Sequence, residues 1–576
     1  MNSLNKFWLI KSKILKWYNY PTTGFKKKSK HEWYENGKLN IYQNCITENL
    51  KYKSKIALVT IDHKKQLEKY TYYDLDRKVN LFISYLKKNY SLKKNKEIRI
   101  MIHASATIES AISMLACAKL GMHFSVIFEE LEEAAIIKRI ELFKPDIIFT
   151  RQTQVQFKLK YKNIFKTHKK KLFFNEKFIG DEQDLSSVSL KNKSFKSMRD
   201  FFTLFTSGST GIPKGVTHSM GGYLVYAKFT CQKQFGMNNK SIVLTASDAG
   251  WINGHTYALF GPLSCGATTI LLQSPMLLLD KDILKKVLLL KTTILYLPVT
   301  IIRLMKTLYN REKFLKHSIK TFGSMGEPLA PTVGSWFVNF FGKKNNAIVN
   351  TFFQTETGGI ICSPRFSSTK QKNPHGSVGA PSTRFLKINK LNKIEKKEFE
   401  IINSWPGCMK SVLNGEKEWK KYWNKEGNFR LFDLATKIKD NIYIHGRVDD
   451  VINIRGHRIG SEEIESVILG LKEISECCAV AVDDQIEGNK ICLFIVSKKN
   501  IDNKIESKIN ENFGNFAMPK KIYYISELPK TRSGKILRRL VRSILIDPRK
   551  KKIGDVTTML NKKVINDLRL NILKNE

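Results

Sequence analysis

From Phe201 the chain reads Phe-Phe-Thr-Leu-Phe, then Thr206-Ser207-Gly208-Ser209-Thr210-Gly211-Ile212-Pro213-Lys214-Gly215. The apolar run reads as a strand, so the small residues form the turn that follows it. Glycines let a backbone approach a polyphosphate closely, hydroxyl and N–H groups supply donors, and Lys214 adds positive charge. The spacing is not that of a Walker A loop, and a Gly/Ser/Thr turn without a ligand has the same composition. Cysteine offers no competing chemistry. The nine cysteines include no C-x-x-C pair and one adjacent pair, Cys477-Cys478, which predicts a reduced, intracellular protein rather than a zinc or redox centre.

The elements around this turn alternate. Ile98 to Ile102 reads as a buried strand, Thr107 to Leu120 as an apolar helix and Asp146 to Thr150 as the next strand. Beyond residue 200, Ile242 to Thr245, Ala267 to Leu272 and Thr293 to Leu297 are strand-like. Strands alternating with helices predict a parallel, helix-covered sheet. Residues 1–50 show little periodicity, and residues 151–198, rich in Lys, read as an insertion or long connection. Near residue 445 the character changes. Gly446-Arg447-Val448-Asp449-Asp450 leads into a tail with its own strands, Cys478 to Val482 and Ile491 to Val496, long enough for a small α+β domain.

At 576 residues the chain is too long for one compact core, and its 42% hydrophobic and 26% charged residues are those of an ordinary folded protein. Its formal net charge of +46 raises three partners: nucleic acid, an anionic membrane surface and polyanionic small ligands. The Lys runs at 26–28, 169–171 and 550–552 are scattered and form no stripe with interleaved aromatics, and no nucleic-acid motif accompanies them. The excess is therefore read as solvated faces, and neither nucleic acid nor membrane is expected as a partner. The N-terminal apolar stretch is too short for a secretory signal, and no run of about 18 apolar residues occurs. A cytoplasmic protein is the expectation.

The string from Thr206 to Gly215 resembles the phosphate loop of the acyl-adenylate-forming superfamily, which includes acyl-CoA synthetases, luciferases and peptide-synthetase adenylation domains. Further blocks match in the right order. Gly326-Glu327-Pro328 and Asn350-Thr351-Phe352-Phe353-Gln354-Thr355-Glu356-Thr357-Gly358 resemble the adenine- and metal-binding segments. Asp433 and Arg447 stand where the ribose-binding Asp and a hinge-proximal Arg are found, and Leu528-Pro529-Lys530-Thr531-Arg532-Ser533-Gly534-Lys535 resembles the C-terminal catalytic loop. Within the superfamily the chain looks most like the acetyl-CoA synthetases. Asp248-Ala249-Gly250-Trp251-Ile252-Asn253-Gly254-His255 with Tyr257 is similar to their tunnel segment. Gly446 through Arg458 is similar to their hinge and coenzyme A side, and Gly37-Lys38-Leu39-Asn40 with Asn44-Cys45 also fits.

The resemblance implies an α/β N-terminal domain over residues 1–446, a hinge at 447–450 pivoting on Asp449, and a mobile α+β domain over 451–576. It implies a two-step ligase that uses ATP, Mg²⁺ and coenzyme A to activate acetate or propionate through an acyl-AMP. ATP would be held by Thr206, Ser207, Gly208, Ser209, Thr210, Gly211, Lys214, Gly326, Glu327, Pro328, Asn350, Thr351, Phe352, Phe353, Gln354, Thr355, Asp433, Arg447 and Arg458. Lys535, Glu356 and Thr206 would be catalytic, with Glu356 also holding the metal. Ile252, Asn253, Met325 and Phe353 would line the acyl pocket, and Asn253, Arg455 and Gly456 would meet coenzyme A.

The chain departs from the pattern at several points. Phe353 replaces the usual Trp, Met325 the usual Val, and Phe432 the usual Gly before Asp433. The arginine-rich segment that grips the coenzyme A phosphates is missing from 151–198, and Asn510 stands for another expected Arg. Two alternatives follow: an adenylating enzyme that delivers to a carrier protein, and a basic nucleic-acid-binding or structural protein. The second leaves the ordered motifs unexplained.

Overall fold

In the computed structural model the described residues are 3–25, 31–90, 97–168, 171–173, 191–206, 213–309, 317–342, 348–364, 376–448, 451–454, 457–484, 488–531, 534–550, 553, 556, 559 and 561–575. Two seven-stranded sheets dominate the first 412 residues. One runs, in spatial order, Ser411–Val412, Lys214–Ser219, Asp200–Thr206, His123–Ile127, Arg99–His103, Ile147–Thr150 and Lys171–Phe173. The other runs Ile348–Asn350, Thr321–Met325, Ile294–Pro298, Ile242–Thr245, Thr268–Leu272, Ile56–Ile61 and Leu67–Thr71. In the second sheet every pairing is parallel except the last, between Ile56–Ile61 and Leu67–Thr71. Strands buried on both faces read as continuous apolar runs, as in the fully buried Ile294–Pro298.

The expected α/β class is what the chain adopts, with element ends shifted by about a residue, except that the C-terminal strands expected from Cys478 and Ile491 begin earlier, at Ile474 and Gly488. The helix covers Ile108–Leu120: Thr107 stands at its N-cap in a capping box with Ser110, and Gly121, at φ 67°, ends it in the left-handed conformation glycine tolerates. Two expectations change. The segment 151–198 is not wholly an insertion, since its described part forms helices Gln154–Lys160 and Lys162–Thr167 and adds the edge strand Lys171–Phe173, parallel to Ile147–Thr150. The aperiodic N-terminus carries a helix, Ser3–Ser12, whose Trp8 is fully buried and lies edge-on to Trp33 at 6.1 Å.

A three-stranded antiparallel sheet, Lys397–Ile401, Phe429–Ile438 and Asn441–Arg447, closes this part. Beyond it, a hairpin of Val451–Ile454 and His457–Gly460 leads to a three-stranded sheet of Ile474–Asp484, Gly488–Ser497 and Pro519–Tyr524, with helices Ser461–Ile468, Asp502–Phe513 and Arg538–Ile546. Every buried core cluster keeps to one side of residues 443–451. Polar contacts join the two parts among the described residues. Thr300 Oγ1 donates to the Gly534 carbonyl at 3.0 Å, Lys396 Nζ pairs with Glu463 at 2.5 Å, and Lys562 Nζ pairs with Glu132 at 2.6 Å. Among the described residues no helix is long and apolar enough to cross a membrane.

Candidate active site

Thr206 ends one strand and Lys214 begins the next, and the two residues face each other across an antiparallel pair. Residues 207–212, including Ser207, Gly208, Ser209, Thr210 and Gly211, lie outside the described residues. The base of the hairpin is fixed from outside: Asn414 accepts from the Gly215 N–H at 2.9 Å and donates to the Pro213 carbonyl at 2.9 Å. Lys214 leaves this base to pair with Glu418 at 3.2 Å, its ammonium 5.5 Å from the centre of the Tyr422 ring.

Two neighbouring strands of the second sheet end side by side, with Ser324 facing Asn350. Gly326 turns out of the first at φ 90°, in open space, a conformation a side chain would resist. Glu327 follows, accepting from Thr300 Oγ1 at 3.2 Å and pairing with Arg303, and Pro328 continues the turn half-buried. On the second strand Asn350 and Thr351 are buried, and their side chains are spent on the fold. Asn350 accepts from Ser324 Oγ at 2.9 Å and donates to the Ser377 carbonyl at 2.9 Å, while Thr351 Oγ1 donates to the Ser324 carbonyl at 2.8 Å. Phe352 packs on Phe399 at 5.5 Å.

The chain then forms a short turn over Thr355–Thr357. Its first carbonyl, that of Thr355, is held by the buried His218 Nε2 at 2.8 Å. Gln354 Nε2 reaches the Asp433 carboxylate at 2.6 Å and the Leu431 carbonyl at 2.5 Å. Arg447 faces Asp433 across the ladder, its guanidinium 3.6 Å from the carboxylate. Glu356 accepts from the Tyr422 hydroxyl at 2.8 Å, and its own carbonyl accepts from the Met409 N–H at 2.9 Å. Burial, with the Glu356 charge beside it, pushes the Tyr422 phenol far up, so it stays a donor at any ordinary pH.

One continuous wall therefore joins Lys214, Tyr422, Glu356, Gln354, Asp433 and Arg447. The C-terminal loop meets the first part at Thr300. Gly534, at φ 84°, lays its carbonyl on Thr300 beside Glu327, and the next residue, Lys535, is exposed, with its backbone pinned by Thr531 through a 2.8 Å and a 3.1 Å hydrogen bond.

Of the four residues expected to line an acyl pocket, the structure brings three together. Phe353 lies 5.7 Å edge-on to Tyr257 and packs in one cluster with Met325, Val349 and Ile360. Asn253 sets its amide 2.6 Å from the Met325 sulfur, and its buried Oδ1 has no hydrogen-bond partner among the described residues. Ile252 does not join them; it is buried in the main core with Leu271 and Ile361. Nearby, the buried Asp248 accepts from the Gly250 N–H at 2.8 Å, yet burial still pushes its carboxyl up to about 7. Asp449, Arg455, Gly456 and the side chain of Arg458 lie outside the described residues.

Sequence reading did not single out Tyr422, Glu418, Thr300 or Arg303. Tyr422 sits in a Lys- and Trp-rich stretch and stands next to Glu356 only after folding, so nothing local marks it.

The described residues thus gather the base of a hairpin, a carboxylate-bearing turn and a loop from the C-terminal part in one α/β chain. The chain belongs to the AMP-binding enzyme family, matching it over residues 47–401 and matching that family's C-terminal domain over residues 463–535. It is 32% identical to an acetyl-coenzyme A synthetase of Leptospira biflexa serovar Patoc, over 98% of this chain and 93% of the relative. It is 31% identical to one of Helicobacter pylori strain G27, over 89% and 84%. The fold is similar to that of an acetoacetyl-CoA synthetase from Streptomyces lividans, at a TM-score of 0.83 and 16% identity over all of this chain and 93% of the other. It is also similar to an anthranilate CoA ligase in complex with anthranoyl-AMP, at 0.75 and 19% over 88% and 97%.

Proposed function

We propose that this chain joins a short-chain carboxylate, acetate or propionate, to coenzyme A at the expense of ATP, by way of an acyl adenylate. The observation that carries the reading is the rim formed where the strands ending at Met325 and Asn350 finish together. Glu327 follows the first of these strands and Glu356 the second, and Thr300, which donates to Glu327, also donates to the Gly534 carbonyl of the C-terminal part. Near-full-length similarity to acetyl-coenzyme A synthetases supports the substrate class.

In the first half-reaction a carboxylate oxygen attacks the α-phosphorus of ATP. The new O–P bond forms as the bond to the β-phosphate oxygen breaks, and pyrophosphate leaves. Such a transfer asks the protein for positioning and charge neutralisation more than for covalent help. Asp433 and Gln354 would hold the ribose, Thr206 and Lys214 the phosphates, and Lys535 the α-phosphate and the incoming carboxylate. Glu356 offers the oxygen ligand that Mg²⁺ takes, in an orientation fixed by Tyr422, so it would hold the ion that shields the phosphates. In the second half the coenzyme A thiol attacks the acyl carbonyl, a C–S bond forms, and the C–O bond to AMP breaks. For this step the C-terminal unit would swing about 447–450, taking Lys535 away and bringing the 455–456 segment to the thiol. Nine free thiols, eight of them buried, suit a reducing compartment such as the cytoplasm.

The test is ATP–pyrophosphate exchange with acetate and propionate, followed by AMP release with and without coenzyme A. Exchange that needs the carboxylate and AMP release that needs coenzyme A support the reading. Exchange together with AMP release that coenzyme A does not stimulate would point to another acceptor, such as a carrier protein. Absence of exchange refutes the reading.

A further inference from the structure

Phe432 adopts φ 56°, the left-handed region that a side chain with a Cβ normally avoids. It sits at the centre of a break in the ladder of Phe429–Ile438. Glu398 faces Leu434, but Glu400 already faces Arg430, so extra residues of the long strand are pushed out around Phe432. Glycine would occupy such a bulge without penalty, whereas phenylalanine holds it against a backbone preference. Strain of this kind persists only where surrounding contacts over-determine it, and it clusters at functional sites.

The Phe432 ring meets Tyr422 edge-on at 5.6 Å, the Arg430 guanidinium at 4.7 Å and the Arg447 guanidinium at 5.6 Å. Arg430 is itself locked by two 2.9 Å hydrogen bonds to Glu398. Each of the other two partners touches the wall described above: Tyr422 through its 2.8 Å bond to Glu356, Arg447 through Asp433. The ring therefore stands between the carboxylate on the Gln-Thr-Glu turn and the carboxylate on the long strand, braced from behind by a fixed cation.

We propose that Phe432 is a positioning residue of the nucleotide site: its ring, carried inward by the left-handed backbone, fixes Tyr422 and Arg447 and through them Glu356 and Asp433. The inference rests on the adenylate-forming reading and adds to it the residue that couples the two carboxylates. Phe432→Gly removes the ring while relaxing the backbone, so lost affinity cannot be ascribed to added strain. Phe432→Tyr keeps both the ring and the strain.

Aromatic edge contacts and cation–π contacts of this size predict that Phe432→Gly raises KM for ATP in the exchange assay about tenfold, leaving KM for the carboxylate within about twofold. Phe432→Tyr should restore most of the ATP affinity. Because Phe432 acts partly through Tyr422, combining Phe432→Gly with Tyr422→Phe should cost less than the product of the separate effects. An unchanged KM for ATP in Phe432→Gly overturns the inference, as do an equal rise in both KM values, no recovery with Phe432→Tyr, or strict multiplicativity. In each of these cases wild-type exchange shows that the parent reading stands. A wild type without exchange overturns the parent reading and this inference together.

Discussion

Replacing Phe353 with Trp tests how the acyl pocket is bounded. Phe353 is only half-buried: it meets Tyr257 edge-on at 5.7 Å and packs against the cluster of Met325, Val349 and Ile360, and part of it is left open. An indole is larger by a fused ring, and the packed side has no room for it, because Met325 is 1% exposed and Tyr257 fully buried. The added atoms must project toward the open side, which the functional reading gives to the acyl chain. A terminal methyl of propionate would then lose its place while acetate kept its own. One methylene in an apolar pocket is worth about 1–3 kcal/mol, or roughly 10–200-fold in kcat/KM. Phe353→Trp should therefore cut kcat/KM for propionate at least about tenfold and leave that for acetate within about threefold. In the wild type propionate should be used at least as well as acetate, butyrate less well, and six-carbon acids not at all, with the pliable Met325 side chain filling part of the space beyond. The assay is initial-rate AMP formation with a C2 to C6 series of carboxylates. An equal fall for acetate and propionate would mean that Phe353 does not bound the pocket and would refute this account of the substrate.

Three further predictions follow from individual contacts. Lys535→Ala should lose about 10²–10³-fold in ATP–pyrophosphate exchange while keeping much of the thioester step when acyl-AMP is supplied, and equal loss of both steps would contradict its assignment to the first. Tyr422→Phe removes the 2.8 Å hydrogen bond to Glu356; a bond to a charged group is worth about 1.5–3 kcal/mol, so the Mg²⁺ concentration for half-maximal exchange should rise at least about tenfold, and an unchanged Mg²⁺ dependence would detach Glu356 from the metal. Asp248 carries a carboxyl pushed by burial up to about 7, above its unfolded value, so the folded state binds the proton more tightly and this group's contribution to stability falls as pH rises through the interval from about 4 to 7. The apparent Tm of the wild type should accordingly drop more between pH 5 and 8 than that of Asp248→Asn, whose amide oxygen can still accept from Gly250; parallel pH profiles would show that Asp248 ionises freely.

What was legible in the sequence was local. The run Ile294 to Leu297 announces a strand because a parallel sheet covered on both faces needs continuous apolar residues. Thr107 and Gly121 announce the ends of a helix because their side chains, or the lack of one, solve the problem of unpaired backbone groups there. The motif blocks announce their own neighbourhoods in the same way. What was not legible was pairing over distance: Tyr422 meets Glu356 across 66 positions, and Thr300 meets Gly534 across 234. Neither pair leaves a period or a spacing that a sequence could display. The N-terminal helix was missed for a related reason. Ten residues of modest amphipathicity are not stable as an isolated helix, and this one is held by burying Trp8 against Trp33 and Tyr226. Phe432 shows how the two kinds of information combine. Its substitution for the Gly before Asp433 is visible in the sequence but carries no sign there. Only the φ of 56° shows that the backbone still takes the conformation natural to glycine. Only the ring contacts to Tyr422, Arg430 and Arg447 show what the side chain gains in return. A departure from a pattern that keeps the unusual backbone and adds contacts to the site argues for a role at that site rather than for loss of one.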